Sequence, residues 1–323
     1  MRAALDKLAT GISRKDLAAR AATQSENYRA GGGSQAIRSR DDALAYAFTR
    51  LPATYAAAIA VFNALREICD LEPCSLLDVG AGPGTAAFAA AEAFAGLADI
   101  RLVEANADMR QLGLALLAQA TRPALRAASY CGSLALRLAV AHADLVVASY
   151  VAGELAPNEL ASFAQALWAA TAQALVVIEP GTPAGYGRIM QIRGLLIGAG
   201  AYVAAPCPHE RDCPLVAPDW CHFAQRLPRS RDHQRVKGAS VPFEDEKFSY
   251  VVMSRAPPRR VDARVLAPPE VTKSAATAKL CTPQGVVTDS AARRDGDAYR
   301  RRKSWRWGDG ISRSGANEGG AAG

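Results

Sequence analysis

Four cysteines in the second half of the chain have the residue type and the spacing of a metal site. Cys207, Cys213 and Cys221 are separated by five and by seven residues, and Cys281 follows after fifty-nine more. Prolines directly follow the first two of them. Because proline prevents this segment from forming a helix, the sulfurs can converge from a loop. Converging thiolates bind metal ions or iron–sulfur clusters.

The intervals between these cysteines are wider than those of a usual zinc site. Structural zinc sites contain ligand pairs with about two to four residues between them, and this segment has no such pair. A four-iron cluster is larger and tolerates irregular spacing, so the pattern favours a [4Fe-4S] cluster. Zinc is the second interpretation, and free cysteines on an extended loop are the third. His209 and His222 each adjoin a cysteine and could replace it as a ligand.

A glycine-rich loop lies earlier in the chain, after a predicted buried strand over Leu76 to Val79. Gly80, Gly82 and Gly84 follow that strand and precede a predicted helix. This arrangement lets a nucleoside cofactor approach bare backbone at the carboxyl edge of a parallel sheet. The loop is therefore predicted to bind a nucleoside.

The residues around the loop favour S-adenosylmethionine over a dinucleotide. Thr85 stands where a dinucleotide fingerprint has its last glycine, and Pro83 lacks the N–H that a pyrophosphate would use. Glu104 lies at the end of the next predicted strand, where a carboxylate can accept hydrogen bonds from ribose hydroxyls. Asp78 is expected to orient the loop or to contact the ammonium group of the cofactor. Binding of NAD and a simple strand-to-helix turn are the alternatives.

The signal for catalysis is weak. The segment after the predicted fourth strand, Leu145 to Ala148, lacks the Asp/Asn-Pro-Pro-aromatic motif that grips an exocyclic amine. Cys131 follows Tyr130, so the chain also lacks a Pro-Cys nucleophile there. Tyr150 and Glu154 are the remaining catalytic candidates. Ring packing and a charge at a helix start explain these two residues equally well.

Positive charge is concentrated late in a chain whose net charge is +7 and whose pI is near 9.1. Such groups bind phosphates, and the nearby Tyr299, Trp305 and Trp307 offer faces on which bases could stack, so RNA is the predicted partner. A merely solvated basic tail is the alternative. The predicted RNA-binding residues are Arg226, Arg229, Arg231, Arg235, Lys237, Arg300, Arg301, Arg302 and Lys303.

Length and composition limit the class of protein. A chain of 323 residues that is half hydrophobic can bury a full core. No uninterrupted apolar stretch reaches the roughly 18 residues that span a bilayer, and no secretory signal pattern is present, so we expect neither a membrane segment nor secretion. Seven cysteines, an odd number, fit a reducing compartment. We expect a monomer.

The pattern of elements predicts an α/β protein with additions at both ends. Short apolar runs that alternate with helical segments predict a parallel sheet covered on both faces. The predicted strands are Leu76 to Val79, Ile100 to Val103, Leu145 to Ala148 and Leu175 to Ile178, with Phe248 to Met253 as a late strand. Before the sheet, one helix is predicted over Asp41 to Thr49 and another opening at Pro52, and after it a hairpin over Thr277 to Val287 that turns at Pro283–Gly285. The predicted divisions are an N-terminal helical cap (1–68), a methyltransferase-like core (69–205), a cysteine-rich metal-binding insertion (206–247), a late core strand with a basic β-rich extension carrying the fourth cysteine (248–310) and a disordered tail (311–323).

The chain resembles the Rsm22-like family, methyltransferase-like proteins that associate with the small ribosomal subunit and that have mitochondrial and bacterial members. The resemblance extends from about Leu5 to Asp309. The glycine loop is generic, but the cysteine pattern beside it is specific. The motifs that carry the resemblance are Arg50–Tyr55, Leu77–Gly84, Glu179–Gly181, Cys207–His209, Cys213–Pro214, Trp220–Phe223, Lys247–Tyr250, Ser254–Arg255, Leu280–Pro283 and Trp307–Asp309.

The resemblance implies a class I methyltransferase (Rossmann-like) fold that binds S-adenosylmethionine. It implies a [4Fe-4S] cluster held by Cys207, Cys213, Cys221 and Cys281, and association with the small ribosomal subunit and its rRNA during assembly. Methyl transfer in this family is more often inferred than established, which agrees with the missing acceptor motif. The family match begins almost at the N-terminus, so the bacterial cytoplasm is predicted ahead of the mitochondrial matrix.

Three functions are compatible with these features. The chain could methylate rRNA, or it could be a binding factor of the small subunit that keeps the cofactor and metal sites as structural or sensing elements. The binding factor is favoured. A zinc-bearing small-molecule methyltransferase is the third possibility.

Overall fold

The computed structural model describes residues 2–29, 32–135, 142–229, 234, 236 and 240–312. Its centre is a mixed sheet in the order β3-β2-β1-β4-β5-β8-β6, with β7 also paired to β8. The strands are β1 (Ser75–Val79), β2 (Asp99–Val103), β3 (Ser129–Cys131), β4 (Ala143–Ser149), β5 (Thr171–Pro180), β6 (Tyr202–Ala205), β7 (Phe223–Pro228) and β8 (Phe243–Ser254).

The first five strands are parallel, and β8 runs antiparallel to β5. The first strand, β1, lies in the middle of the sheet. Successive strands are added on one side of it up to β3 and on the other side from β4 onwards, and this change of side leaves a crevice at the carboxyl ends of β1 and β4. The strand order is that of the class I methyltransferase fold, which the family resemblance implies. The sheet is mixed, whereas the apolar runs predicted a parallel one, because β8 pairs antiparallel with β5, β6 and β7. The apolar runs predicted as strands all lie in the sheet.

Helices cover both faces of the sheet. The helices are α1 (Arg2–Leu8), α2 (Arg14–Arg29), α3 (Arg40–Ile68), α4 (Thr85–Ala93), α5 (Ala107–Leu117), α6 (Pro123–Arg126), α7 (Leu160–Ala170), α8 (Pro183–Gly198) and α9 (Asp297–Ser304). Two separate apolar cores result, one on each face. Helix α3 lies in the first core, and α7 and α8 lie in the second.

Helix α3 differs from the sequence prediction of two helices, the second opening at Pro52. Pro52 lies inside a single helix of 29 residues. Thr49 and Thr54 donate their hydroxyl protons to carbonyls one turn back, on either side of the proline. Within the described residues, this helix is long and apolar enough to cross a membrane, but 61% of its most apolar stretch is buried in the protein. It is thus a core helix.

A second, antiparallel sheet forms the C-terminal extension, in the order β10-β11-β9-β13 with β12 paired to β11. The predicted hairpin is confirmed, since β11 and β12 are joined at Pro283–Gln284. Ile311, predicted to begin a disordered tail, lies in β13, and 313–323 fall outside the described residues. These strands are β9 (Ala263–Val265), β10 (Glu270–Val271), β11 (Ala275–Thr282), β12 (Gly285–Ala292) and β13 (Gly310–Ile311).

Candidate cofactor edge and thiol pocket

The glycine loop joins β1 to α4 at the carboxyl edge of the sheet. Gly80 has φ +70°, and a Cβ added there would lie 2.5 Å from Cγ2 of Val151. Gly84 has φ +83° and directly precedes α4. Both positions require glycine, the first for close approach of another chain segment and both for their left-handed backbone. The backbone of the loop is therefore bare where it faces the crevice.

Asp78 is the buried acid of this edge. It is 1% exposed, and neither of its carboxylate oxygens has a hydrogen-bond partner within the described residues. Burial, together with the nearby Glu104 carboxylate, raises the pKa of Asp78 to about 7, although the backbone N–H of Ala87 lies close enough to oppose part of that rise. A buried carboxylate without partners is costly unless a ligand supplies them. Asp78 is therefore suited to meet a cationic group of a bound cofactor.

Glu104 differs from the prediction in what it binds. Its Oε2 accepts a hydrogen bond from the N–H of Gly82 at 2.8 Å, and its Oε1 accepts one from the N–H of Asn106 at 2.7 Å. Glu104 thus joins the glycine loop to the start of α5, in addition to any contact with a ribose. Burial raises its pKa. The five predicted cofactor-binding residues do lie together at one edge.

Tyr150, the first catalytic candidate, has a left-handed backbone with φ +60°, which is uncommon for a residue other than glycine. Its N–H donates to the carbonyl of Ile178 at 2.7 Å, and its hydroxyl donates to Oε1 of Glu246 at 3.0 Å. Arg50 pairs with the same carboxylate at 3.1 Å. The hydroxyl of Tyr150 is therefore engaged. Sequence reasoning missed Arg50 and Glu246 as parts of this edge, because they lie on α3 and β8, far apart in the chain.

Glu154, the second candidate, binds a segment of the N-terminal region. Its Oε1 accepts from the N–H of Ser34 at 3.0 Å, and its Oε2 accepts from the hydroxyl of Ser34 at 2.8 Å. Asn106 also donates to the carbonyl of Ile37 at 2.8 Å. These contacts hold the segment between α2 and α3 against the carboxyl edge. The structure thus gives Glu154 a positioning contact that its sequence neighbours did not indicate.

The four predicted metal ligands come together in a separate place. Cys207, Cys213, Cys221 and Cys281 line one pocket with a cavity volume of about 20 Å³, although they come from three loop positions and from β11. Two buried arginines, Arg193 and Arg264, line the same pocket. In the described ranges, no three His, Cys, Asp or Glu side chains are already arranged so that they could hold a metal ion. The thiols share the wall of a pocket and do not meet at one point.

The thiols in this pocket influence one another. Burial raises the pKa of Cys221 and Cys281, the latter to about 12, and the neighbouring thiols raise both further. Burial also raises the pKa of Cys207, while Arg193 and Arg264 oppose that shift. Without a metal the buried thiols are thus protonated at neutral pH. Binding of a metal to them would release protons.

The two histidines beside the cysteines take different positions. His209 is buried, and its Nε2 lies 3.7 Å from Sγ of Cys281. Burial lowers the pKa of His209, so its ring is neutral. His222 stacks on Trp220 with 5.1 Å between ring centroids, and its ring meets the edge of Trp307 at 5.0 Å on the other side. Of these two histidines, His209 is thus the one placed beside a thiol of the pocket.

The predicted RNA-binding residues divide into paired and unpaired cations. Arg226 forms a bidentate pair with Asp245 at 2.7 and 2.8 Å. Arg229, Arg300 and Arg302 also face carboxylates, those of Glu244, Asp297 and Asp289. Arg301 and Lys303 on α9 are exposed, and neither forms a salt bridge with any described residue. Arg231, Arg235 and Lys237 lie outside the described residues.

The aromatic residues near α9 are less available than predicted. Tyr299 donates its hydroxyl proton to the carbonyl of Thr272, and Trp305 is half-buried. Trp307 packs against the ring of His222. These contacts tie the end of the extension to the cysteine-bearing loop. They leave fewer faces on which bases could stack.

Two solved methyltransferases are similar in fold to this chain, with 12% identity each. They are magnesium protoporphyrin IX methyltransferase from Synechocystis (TM-score 0.42, covering 76% of this chain and 99% of that one) and precorrin-6y C5,15-methyltransferase from Geobacter metallireducens (TM-score 0.39, covering 59% and 85%). These similarities are weak, and the fold assignment rests on the strand order.

The family is shown by the sequence itself. The family model described as "Mitochondrial small ribosomal subunit Rsm22" matches residues 40–312, so this chain belongs to that family. It is 28% identical to the human "Ribosome assembly protein METTL17, mitochondrial" over 292 residues, which cover 82% of this chain and 61% of that protein. It is 25% identical to the fission yeast "Rsm22-cox11 tandem protein 2, mitochondrial" over 243 residues, covering 66% and 32%. The chain thus spans less than two thirds of either relative.

Proposed function

We propose that this chain is a factor of the small ribosomal subunit that binds S-adenosylmethionine and carries a [4Fe-4S] cluster. The observation that carries the proposal is a combination found in a member of this family. A buried carboxylate at a glycine loop has no hydrogen-bond partner among the described residues, and a separate pocket is lined by four thiols. The names of the human and fission yeast relatives, which refer to ribosome assembly and to Rsm22, support the ribosomal part.

The cofactor would lie at the carboxyl edge formed by Gly80, Gly82 and Gly84. S-adenosylmethionine carries an ammonium and a sulfonium, and the nearby carboxylates of Asp78 and Glu104 favour a cation. The carboxyl group of Asp78 would gain its missing partner from the ammonium. Pro83 again argues against a pyrophosphate, because it removes a donor from the loop.

The metal centre would be held by Cys207, Cys213, Cys221 and Cys281. The donor set consists of four thiols, which suit iron–sulfur clusters and zinc equally in chemistry. The wide and irregular spacing of the four cysteines along the chain favours the larger guest, and zinc is the alternative. When bound, a cluster would cross-link the loop between β6 and β7 to β11 and could exchange one electron.

The binding of rRNA would depend first on the unpaired cations of α9. Arg301 and Lys303 are exposed at its end, and Arg293 and Arg294 are exposed just before it. A cation without a carboxylate partner can bind a phosphate, and so release counterions, without first breaking an ion pair within the protein. Arg226 would contribute less, because it is already in a bidentate pair.

We propose a binding factor ahead of a methyl-transferring enzyme. Both catalytic candidates are occupied by internal partners, Tyr150 by Glu246 and Glu154 by Ser34. A methyltransferase that activates its acceptor with a general base needs a free group beside that acceptor. rRNA methylation is the second candidate, because the five predicted cofactor-binding residues lie together at one edge of the sheet. The predicted domain divisions and the monomeric state belong to the same proposal.

The names of the relatives support one of the two predicted cellular locations. The names of both place them in mitochondria, which favours the mitochondrial matrix, the second of the two predicted locations. The bacterial cytoplasm, predicted first, has no comparable support.

The proposal is tested with radiolabelled S-adenosylmethionine and immature small-subunit rRNA, using the wild-type protein and Gly82→Arg. RNA binding without methyl incorporation supports the factor. Incorporation that Gly82→Arg abolishes supports the enzyme. The same preparation is assayed anaerobically for iron, sulfide and zinc. A colourless zinc protein that ignores RNA would instead support a small-molecule methyltransferase.

A further inference from the structure

Two arginines are buried beside the four thiols, and neither has a carboxylate partner among the described residues. Arg193 on α8 is 3% exposed and Arg264 on β9 is 2% exposed, and both line the thiol pocket. Neither forms a salt bridge with any residue that the structure describes. Nε of Arg193 and Nη2 of Arg264 have no hydrogen-bond partner in that part of the chain. Two full positive charges are therefore enclosed in the protein with donors to spare.

Backbone carbonyls satisfy these arginines only in part. Arg193 donates to the carbonyls of His209 and Arg211, both at 2.8 Å. Arg264 donates to the carbonyls of Pro206 and Gly308, both at 2.8 Å. Carbonyl dipoles solvate a cation but leave its net charge uncompensated. Burying such a charge is unfavourable unless an anion lies close to it.

The pocket itself contains the groups that can supply the missing negative charge. Four thiolates around a core of charge +2, whether a zinc ion or an oxidised four-iron cluster, give a net charge of about −2. Two guanidinium groups balance that value. Four neutral thiols would leave both arginines uncompensated.

We propose that Arg193 and Arg264 are the internal counter-charges of the metal centre, so that the pocket selects a guest held by four thiolates with a net charge of about −2. This inference rests on the metal centre proposed above and adds the two residues that set its charge. It assigns His209 a role as a neighbour of Cys281 and not as a ligand, because a neutral imidazole in place of one thiolate would leave one arginine unbalanced.

The test replaces each arginine with methionine, which keeps much of its apolar length, and with lysine, which keeps its charge. Arg211→Met is the matched control, because Arg211 lies in the cysteine-bearing loop and donates to a carbonyl but does not line the thiol pocket. Each protein is purified anaerobically and reconstituted with ferrous iron and sulfide. Iron content, visible absorption and the reduction potential in a dithionite titration are measured, and circular dichroism checks folding.

We expect Arg193→Met and Arg264→Met to make one-electron reduction at least tenfold less favourable, a shift of about 59 mV or more towards negative potential. The added electron raises the negative charge that the arginines offset. The lysine variants and Arg211→Met should stay near the wild type. For protein loaded with Zn²⁺ alone, the methionine variants should release zinc to a chelator at least about tenfold faster.

The outcomes separate the two proposals. Folded methionine variants whose potential and zinc release match the wild type would overturn the counter-charge role while leaving the metal centre intact. If only Arg264→Met fails to fold, Arg193→Met still decides, because Arg193 joins no strand of the second sheet. A wild-type protein that retains neither iron nor zinc after reconstitution would overturn both proposals.

Discussion

The cofactor edge and the thiol pocket have opposite electrostatic character. The edge is built around carboxylates, with Asp78 and Glu104 buried beside the glycine loop. The pocket encloses Arg193 and Arg264, and no described acidic side chain lines it. Each region thus suits a guest of the other sign: a cationic cofactor in the first and an anionic metal–thiolate centre in the second.

The two regions also differ in how the chain assembles them. Asp78 to Gly84 are consecutive, and parallel pairing of β1 with β2 brings Glu104 alongside them. The pocket needs the loop after β6, the start of β7, helix α8 and the second sheet at once. The edge can therefore form within the core alone. The pocket requires the insertion and the extension to dock, and a bound metal would stabilise that docking.

The largest effect is expected from removal of one thiol. Cys213→Ser should lower bound metal by more than about tenfold and should speed amide hydrogen exchange in 207–222, because closing the long loop to Cys281 is unfavourable without ligand bonds. Metal analysis and exchange mass spectrometry measure both effects. Cys74→Ser, at an exposed cysteine outside the pocket, is the control. Equal metal content in the two variants would contradict a four-thiol centre.

A methyl group at Gly80 should damage the cofactor edge and spare the pocket. The new Cβ would clash with Val151, and φ +70° is strained for alanine. We expect S-adenosylmethionine affinity, measured by calorimetry, to fall by about tenfold or more. Gly187→Ala, where a Cβ meets nothing within 4 Å, should bind normally. If metal content falls in Gly80→Ala as well, the two regions are not independent.

Asp78 should make the cofactor-free protein less stable as the pH rises. Its folded pKa of about 7 lies above the ordinary value of 3.8, so the folded state binds more protons between these values. The stabilisation is complete below about pH 4 and is lost as the pH rises through about 7.

Asp78→Asn should remove that loss, which is on the order of a few kcal/mol in the free energy of unfolding. Urea unfolding at several pH values measures the difference. Asp99→Asn, at an exposed carboxylate on β2, is the control. An unchanged pH profile in Asp78→Asn would show that Asp78 is not the buried acid responsible.

The smallest effect is expected on RNA affinity. Replacing both Arg301 and Lys303 with glutamine should weaken rRNA binding severalfold. The slope of log affinity against log salt concentration should become less steep by about one for each phosphate that the variant no longer neutralises. Arg226→Gln should change affinity less, because Asp245 already holds that guanidinium. Filter binding at two salt concentrations compares them. A greater weakening in Arg226→Gln would move the RNA surface from α9 to β7.

Much of the fold was predictable because its signals are local. Apolar runs between helical segments predicted β1, β2, β4, β5 and β8, and the turn residues after Thr282 predicted the hairpin that carries Cys281. Pro52 misled the prediction, since a proline can also lie inside a long, well-packed helix. The pairing of Arg226 and Arg302 with carboxylates was invisible because their partners lie more than ten residues away.

The sequence alone determined the chemistry that this protein can offer: a glycine loop with an acid before it, four cysteines, a surplus of late cations and membership of the Rsm22 family. Only the tertiary structure decided which groups face one another. It gathered the thiols around Arg193 and Arg264, whose positions in α8 and β9 carry no local signal of burial. The physical reason is that the environment of a charge is set by every segment packed around it, and most of those segments are distant in the chain.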